Sequence, residues 1–182
     1  MHLPVDAIGC HQDSDDAVST HVGALIGGRL VAASRMLVLP SIESLSFARQ
    51  LSLDPSRYPG AVCFLSRLVV AREARGQGLA RSLIERMVIR AHEQGAVWTA
   101  ATSSVGVVEN ILASLRFVHA DDVRIWWGHG WRAEKFFIAD AAAAALEIRA
   151  RGGHRAAARP DPGDVKLAVA GSADVVSSQG GP

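Results

Sequence analysis

Val62-Cys63-Phe64-Leu65-Ser66-Arg67-Leu68-Val69-Val70, followed after a short gap by Arg75-Gly76-Gln77-Gly78-Leu79-Ala80, decides how this chain folds. The first run is almost unbroken in its apolar character and reads as a buried strand. The second opens an amphipathic segment in which Leu79, Leu83, Ile84, Met87, Val88 and Ala91 recur at helical spacing, with Gly95 placed to end it. Arg81, Glu85, Arg86 and Arg90 lie toward the opposite face. Strand, glycine turn and helix start, in that order, make an anion site: turn glycines bring backbone N–H groups close, and the helix end adds partial positive charge. A diphosphate is the natural guest. Dinucleotide and nucleoside-triphosphate loops fit less well, because the spacing is not Gly-x-Gly-x-x-Gly and no Gly-Lys-Ser/Thr follows.

Upstream, Met1 to about Asp16 is polar and irregular. Val22 to Ile26 and a second run from Arg29 to about Leu39, joined by Gly27-Gly28, predict a hairpin, since two glycines supply the positive φ of a tight turn. Pro40-Ser41 interrupts it. Ile42 to Leu51 carries a weak helical pattern anchored by Leu45, Phe47 and Leu51, and Asp54 to Gly60 is dense in turn formers. Downstream, Val97 to Ala101 reads as a short strand, and Ser103 or Ser104 is placed to cap a helix over about Val105 to Leu115. Strands are expected near Phe117 to Trp127 and Trp131 to Ala139, split by Gly128-His129-Gly130. Ala141 to Ala150, with five consecutive alanines, favours a helix. From Gly152 the chain turns to Gly, Pro, Ala, Asp and Ser, a composition that predicts a disordered tail because it buries too little to offset its ordering entropy.

With 182 residues, 49% hydrophobic and 20% charged, the chain is long enough for one domain with a full core. Its net charge of +1 offers no electrostatic reason to expect nucleic acid or an anionic membrane as main partner. Cys10 and Cys63 have no metal or redox spacing, and Cys63 reads as a small buried thiol, which fits a reducing cytoplasm. No apolar run approaches a membrane span, and the N-terminus has no export signature.

Residues 75 to 80 match the Arg-x-x-Gly-x-Ala form of the acyl-CoA signature of the GNAT superfamily of N-acyltransferases, which the segment from about Ser66 to Gly95 resembles throughout. The resemblance implies an α+β fold: a mixed, mostly antiparallel, splayed central sheet flanked by helices, occupying residues 1–150, with 151–182 as the tail. It implies that the sheet opens beside Val62 to Ala71 and Val97 to Ala101, and that acyl-CoA enters this gap as co-substrate. Leu68, Val69 and Val70 would offer main-chain groups to the pantetheine arm, and Arg75, Gly76, Gln77, Gly78, Leu79 and Ala80 would wrap the pyrophosphate. A finer likeness joins Asp13, Asp16, His21, Arg29-Leu30-Val31, Arg35, Leu39-Pro40-Ser41, Phe47 and Ser66-Arg67-Leu68, whose order resembles acyl-homoserine-lactone synthases and N-acyl amino acid synthases. Those proteins usually carry a glutamate where this chain has Phe64. Asp13 and Asp16 would there meet an acceptor's ammonium.

Acyl transfer needs a deprotonated amine, a stabilised oxyanion and a proton for the departing thiolate. The main chain around Val69 and Val70 suits the second need. Where many GNAT members have an asparagine and a tyrosine acid, this chain has Val105 and Leu112, and its only tyrosine, Tyr58, lies in the loop before the central strand. Ser114 is the candidate proton donor. His129, between two glycines and flanked by Trp126, Trp127 and Trp131, is the first candidate base because imidazole titrates near neutral pH. Glu43 and Glu134 are alternatives, and the tryptophans are a candidate acceptor wall. Positioning alone removes much of the barrier, so a missing acid–base pair does not exclude catalysis. The expectation is transfer of an acyl group, acetyl first, to a primary amine of a small molecule. The alternatives are a synthase using a longer acyl donor and a catalytically silent acyl-CoA-binding module. No metal is expected, the expected partners are the amine acceptor and a second copy as a homodimer, and neither nucleic acid nor membrane is among them.

Overall fold

A computed structural model describes residues 15–126, 130–155 and 165–170 of the chain. Gly27 and Gly28, at φ of +56° and +79°, make the tight turn between β1 (Thr20–Ile26) and β2 (Arg29–Leu39), as both positions of a type I′ turn require. The chain continues through β3 (Val62–Val70), α1 (Leu79–Glu93), β4 (Trp98–Ser103), α2 (Gly106–Ser114), β5 (Val118–Trp126), β6 (Trp131–Asp140), α3 (Ala141–Arg155) and β7 (Val165–Ala170). One open seven-stranded sheet results, in the order β5-β6-β4-β3-β2-β1-β7. Among the paired strands described, only β3 and β4 run parallel; they are the neighbours joined directly by a helix, α1, which returns the chain to the same end.

Each face of the sheet has its own core. On one face, α1 buries Leu83, Met87 and Val88 against Val22, Met36, Cys63 and Leu65, and α3 adds Ala144 and Ile148. The other face is covered by the excursion between β2 and β3, where Ile42, Leu45 and Phe47 pack on Phe64, Val123 and Phe136. Phe47 meets Phe64 and Phe136 edge-on, with ring centroids 5.3 and 6.2 Å apart. The helix expected over Ile42 to Leu51 is replaced by short 3-10 turns at Ile42–Ser44 and Ala48–Gln50. Leu45 and Phe47, two positions apart, are both buried, which the 3.6-residue period of an α-helix does not permit on one face.

The stretch expected as a tail holds regular structure at its described positions. α3 runs on to Arg155, and Val165–Ala170 pairs antiparallel with β1, Val22 opposite Val169 and Ile26 opposite Val165. Val165 and Val169 pack on the helix-side core, as alternating β-branched residues do on a pleated edge. No helix among the described residues is long and apolar enough to cross a membrane.

The strand that matters most for the site changes character along its length. β3 pairs with β4 over four positions, Val62–Leu65 against Trp98–Ala101, and the ladder then stops. Its pairing with β2 shifts between Ala33 and Arg35, opposite Arg67, whose φ is +55°. This is a bulge: an extra residue resets the inside–outside alternation and bends the strand. Ser66 and Arg67 consequently reach the same polar cluster, while Leu68 and Val70 return to the helix-side core.

Candidate active site

The glycine loop is held from both ends. After β3 a 3-10 turn, Arg72–Ala74, buries Ala74, and Arg75 Nε donates to the Val70 carbonyl at 3.2 Å. Gly76 and Gly78 sit at φ of +79° and +80°. A Cβ at either would meet nothing within 4 Å, so glycine is required by the backbone conformation and not by crowding. Gly78 is the N-cap of α1, and no side chain caps the helix or places an acid in its first turn. The first-turn N–H groups and the positive end of the helix dipole therefore remain available to an anion.

Beneath this loop a cavity of about 740 Å³ runs along the unpaired edge of β3. Leu68, Val69 and Val70 form one wall, residues of the loop and of the start of α1 form the end, and Val105, Val107, Val108 and Ile111 form the other wall. Val69, Val105 and Val107 are 63%, 53% and 66% exposed, large apolar side chains left in water at one place. A diphosphate on the uncapped helix end with a long apolar arm along these valines fits the shape and chemistry of the cavity. Among the described residues, Arg75 and Arg81 are its titratable lining residues.

On the opposite face a polar cluster lies beside the bulge. Arg35 is almost wholly buried, donating from Nη1 to Asp16 Oδ1 at 2.8 Å and from Nε to Ser66 Oγ at 3.1 Å. Arg67 Nε and His21 Nε2 approach the same Asp16 oxygen at 3.9 and 3.7 Å, and Arg35 Nη2 lies 4.0 Å from Asp15. A buried guanidinium requires such pairing, since an unpaired buried charge is very costly.

Among the residues expected from sequence, the structure gathers Leu68 to Val70, Arg75, Gly76, Gly78, Leu79 and Ala80 around one cavity, with Gln77 between the two glycines. It brings Asp16, His21, Arg35, Ser66 and Arg67 into the second cluster. The described candidate acid–base groups do not join either. Ser114 spends its hydroxyl on the Ile111 carbonyl, 2.7 Å away on its own helix. Glu43 is exposed in the excursion, its carboxyl held below the usual range by the Ser41 hydroxyl and a backbone N–H. Glu134 lies on β6, 3.5 Å from the Ser104 hydroxyl. Tyr58 packs edge-on against Trp98 at 5.3 Å. His129, Trp127 and Asp13 lie outside the described residues, and Trp131 is half exposed opposite Trp126 in the strand register. Burial pushes the Cys63 thiol up to about 12, which keeps it from acting as a nucleophile.

The valine wall of α2 escaped the sequence reading. Its signal was Val105-Gly106-Val107-Val108, an apolar helix start. The sequence offers Ser103 or Ser104 as the cap of that helix, but Val105 is the N-cap, and the Ser103 hydroxyl accepts from the Val105 N–H at 3.1 Å.

The profile of the acetyltransferase (GNAT) family matches residues 3–110, more than half of the chain. No curated protein matches it. Among solved structures, the CoA-dependent acyl-homoserine lactone synthase BjaI with MTA is 20% identical, with 82% of this chain and 72% of that one covered at a TM-score of 0.57. The CoA-dependent acyl-homoserine lactone synthase MesI is 16% identical over 83% of this chain and 77% of that one, also at 0.57. The Salmonella typhimurium protein yncA with acetyl-CoA is 16% identical over 73% and 76%, at 0.51. At these identities the likeness is one of fold.

Proposed function

The chain belongs to the GNAT acetyltransferase family of acyl-CoA-dependent enzymes, and on that premise we propose that it moves an acyl group from acyl-CoA to the primary amine of a small molecule. The observation that carries this is the 740 Å³ apolar cavity ending on an uncapped, glycine-hinged helix start. Gly76 to Ala80 bind the diphosphate through main-chain N–H groups, Arg75 braces the loop from Val70, and the valine walls take the pantetheine arm and exclude water. The acceptor nitrogen bonds to the acyl carbon as the carbon–sulfur bond breaks; the nitrogen sheds a proton and the thiolate gains one. The main chain of Leu68 to Val70, without a β4 partner, is placed to steady the thioester oxygen. Because the described residues of the cavity wall include no carboxylate, imidazole or tyrosine, the wall contributes positioning, and proton transfer falls to solvent or to another group, for which His129 stays the first candidate.

A second reading is favoured by one observation. Of the residues that resemble the lactone and N-acyl amino acid synthases, His21, Arg35 and Arg67 converge on Asp16, where a carboxylate and two guanidiniums lie together. Such a set complements an amino-acid-like acceptor carrying both ammonium and carboxylate.

Titration of the intact protein with CoA thioesters, followed by mass spectrometry against an amine panel that includes amino acids, tests both. Binding and release of free CoA with an acylated amine are expected. Gly78→Val, which forces a β-branched residue into positive φ, is expected to weaken thioester binding by roughly tenfold, the equivalent of the left-handed penalty. Absence of any association removes the proposal, and binding without free CoA returns the silent-module reading.

A further inference from the structure

The open sheet has two outer strands, and they are guarded unequally. An edge strand offers a row of unpaired N–H and C=O groups to any other chain unless a bulge, charge or covering segment blunts it. β5 has all three: its ladder breaks between His119 and Asp121, it carries Asp121, Asp122 and Arg124, and the Ser52 and Leu53 N–H groups of the excursion donate to Asp121. Among the described residues, β7 has none of these protections beyond one charge, Lys166. It pairs with β1 without a break over six positions, contains no proline, and is the last strand of the sheet. Its side chains are open in the same direction. Val165, Leu167 and Val169 alternate onto the helix side, where the first and last pack on the core. Leu167, between them and opposite the fully buried Ala24, is nevertheless 41% exposed. The apolar row is covered from the β1 side and uncovered on the other.

We propose that β7 pairs antiparallel with β7 of a second copy of this chain, joining two seven-stranded sheets into one across a two-fold axis. Side-chain direction fixes the register. Residues directly opposite in an antiparallel pair point to the same face, so the axis passes through a residue and not between two. Centring on Leu167 sets Leu167 against its own copy and each Val165 against a Val169, so that every side chain of the apolar row meets an apolar partner. Lys166 then faces Ala168 of the second copy, and the two lysines are not directly opposed. Centring on Ala168 leaves Val165 opposite a position outside β7, and centring on Lys166 sets like charges face to face. Six residues of strand span about 20 Å, less than a permanent interface uses, so the dimer forms reversibly and grows with concentration.

Sedimentation velocity of the intact protein over a dilution series tests this pairing. The unaltered chain is expected to move from monomer toward dimer as concentration rises. Leu167→Lys, at a position already partly in water, is expected to weaken association by about tenfold or more, because it sets like charges opposite each other. Leu167→Cys in a Cys10→Ser background, with Cys63 buried, is expected to give a disulfide-linked dimer under mild oxidation. Directly opposite positions of an antiparallel pair are within reach of a disulfide, and Lys166→Cys in the same background is expected not to link. A chain that stays monomeric at every concentration overturns the proposal. So does a dimer that Leu167→Lys leaves as tight as before, or equal cross-linking through Lys166→Cys and Leu167→Cys.

Discussion

From Val62 to Leu65, β3 is paired on both sides and sends alternate side chains into two cores; from Ser66 to Val70 it is paired only with β2, holds an arginine at positive φ and leaves Val69 in water. One strand thus serves two ends. Its first half obeys the rules that make a buried strand: unbroken apolar sequence, complete ladders and both faces covered. Its second half breaks each of them at the place where the cavity and the polar cluster meet the sheet. Departures from local rules gather where a fold has something to bind. The bulge at Arg67 is the hinge between the two regimes, because it ends the β4 ladder and turns Ser66 and Arg67 to one side and Leu68 to the other.

The sharpest way to break this contrast is to truncate one residue on each side of it. Leu65→Ala removes a buried side chain between Met36 and Ala101 and is expected to cost about 2–5 kcal/mol by denaturant unfolding. Val69→Ala removes a side chain that is 63% exposed and is expected to change stability by less than about 0.5 kcal/mol. Similar losses from both would show that the open half is as much a part of the core as the closed half.

A smaller effect is expected at the polar side of the bulge. Arg35→Met leaves Asp16 beside the bulge with Arg67 and His21 at longer range, and is expected to cost about 2 kcal/mol, below the value for a fully buried pair because Asp16 is partly exposed. Arg35→Met with Asp16→Leu is expected to recover most of that loss, since two apolar groups need no partner. Paired unfolding curves for the single and double variants measure the coupling. A double variant less stable than the single one would mean that Asp16 holds structure by other means.

Much of this division was legible in the sequence, and the illegible parts share a cause. The hairpin, the glycine loop and α1 are local patterns: two glycines, a strand's apolar run and a helical period each identify themselves within a few residues. The bulge did not, because Ser66-Arg67 within an apolar strand has no length signature, and only the register against β2 exposes it. The excursion was mistaken for a helix because Leu45, Phe47 and Leu51 are apolar at irregular spacing and find their partners on distant strands. β7 was hidden by averaging: Val165-Lys166-Leu167-Ala168-Val169-Ala170 alternates like a strand but sits in a stretch rich in glycine and proline. The site followed the same line. Backbone-built parts could be read from glycine positions, whereas the α2 valines became visible as a wall only once α2 lay against the open edge of β3.

The smallest effect concerns what covers the closed half. α3 packs on α1 with Ile148 as its one large core side chain beside Ala144, and its other buried residues, Ala141 and Ala145, bury little area, so its placement draws on surface charge as well. Glu147 accepts from Arg116 Nε at 2.8 Å and Arg151 Nε at 2.9 Å, tying α3 to the end of α2. The hydrogen bonds from Arg116 and then Arg151 hold its carboxyl below the ordinary value of 4.5. A carboxylate whose folded pKa is depressed adds stability that is fully present above its unfolded pKa and is lost as pH falls through the folded one. Glu147→Gln should therefore lower the melting temperature slightly at pH 7, with the gap to the unaltered protein closing as pH drops below 4.5. Because the group faces solvent, added salt should also shrink the difference at pH 7. A gap that persists unchanged into acid would mean that Glu147 acts through packing of its stem, and that α3 covers the closed half without help from charge.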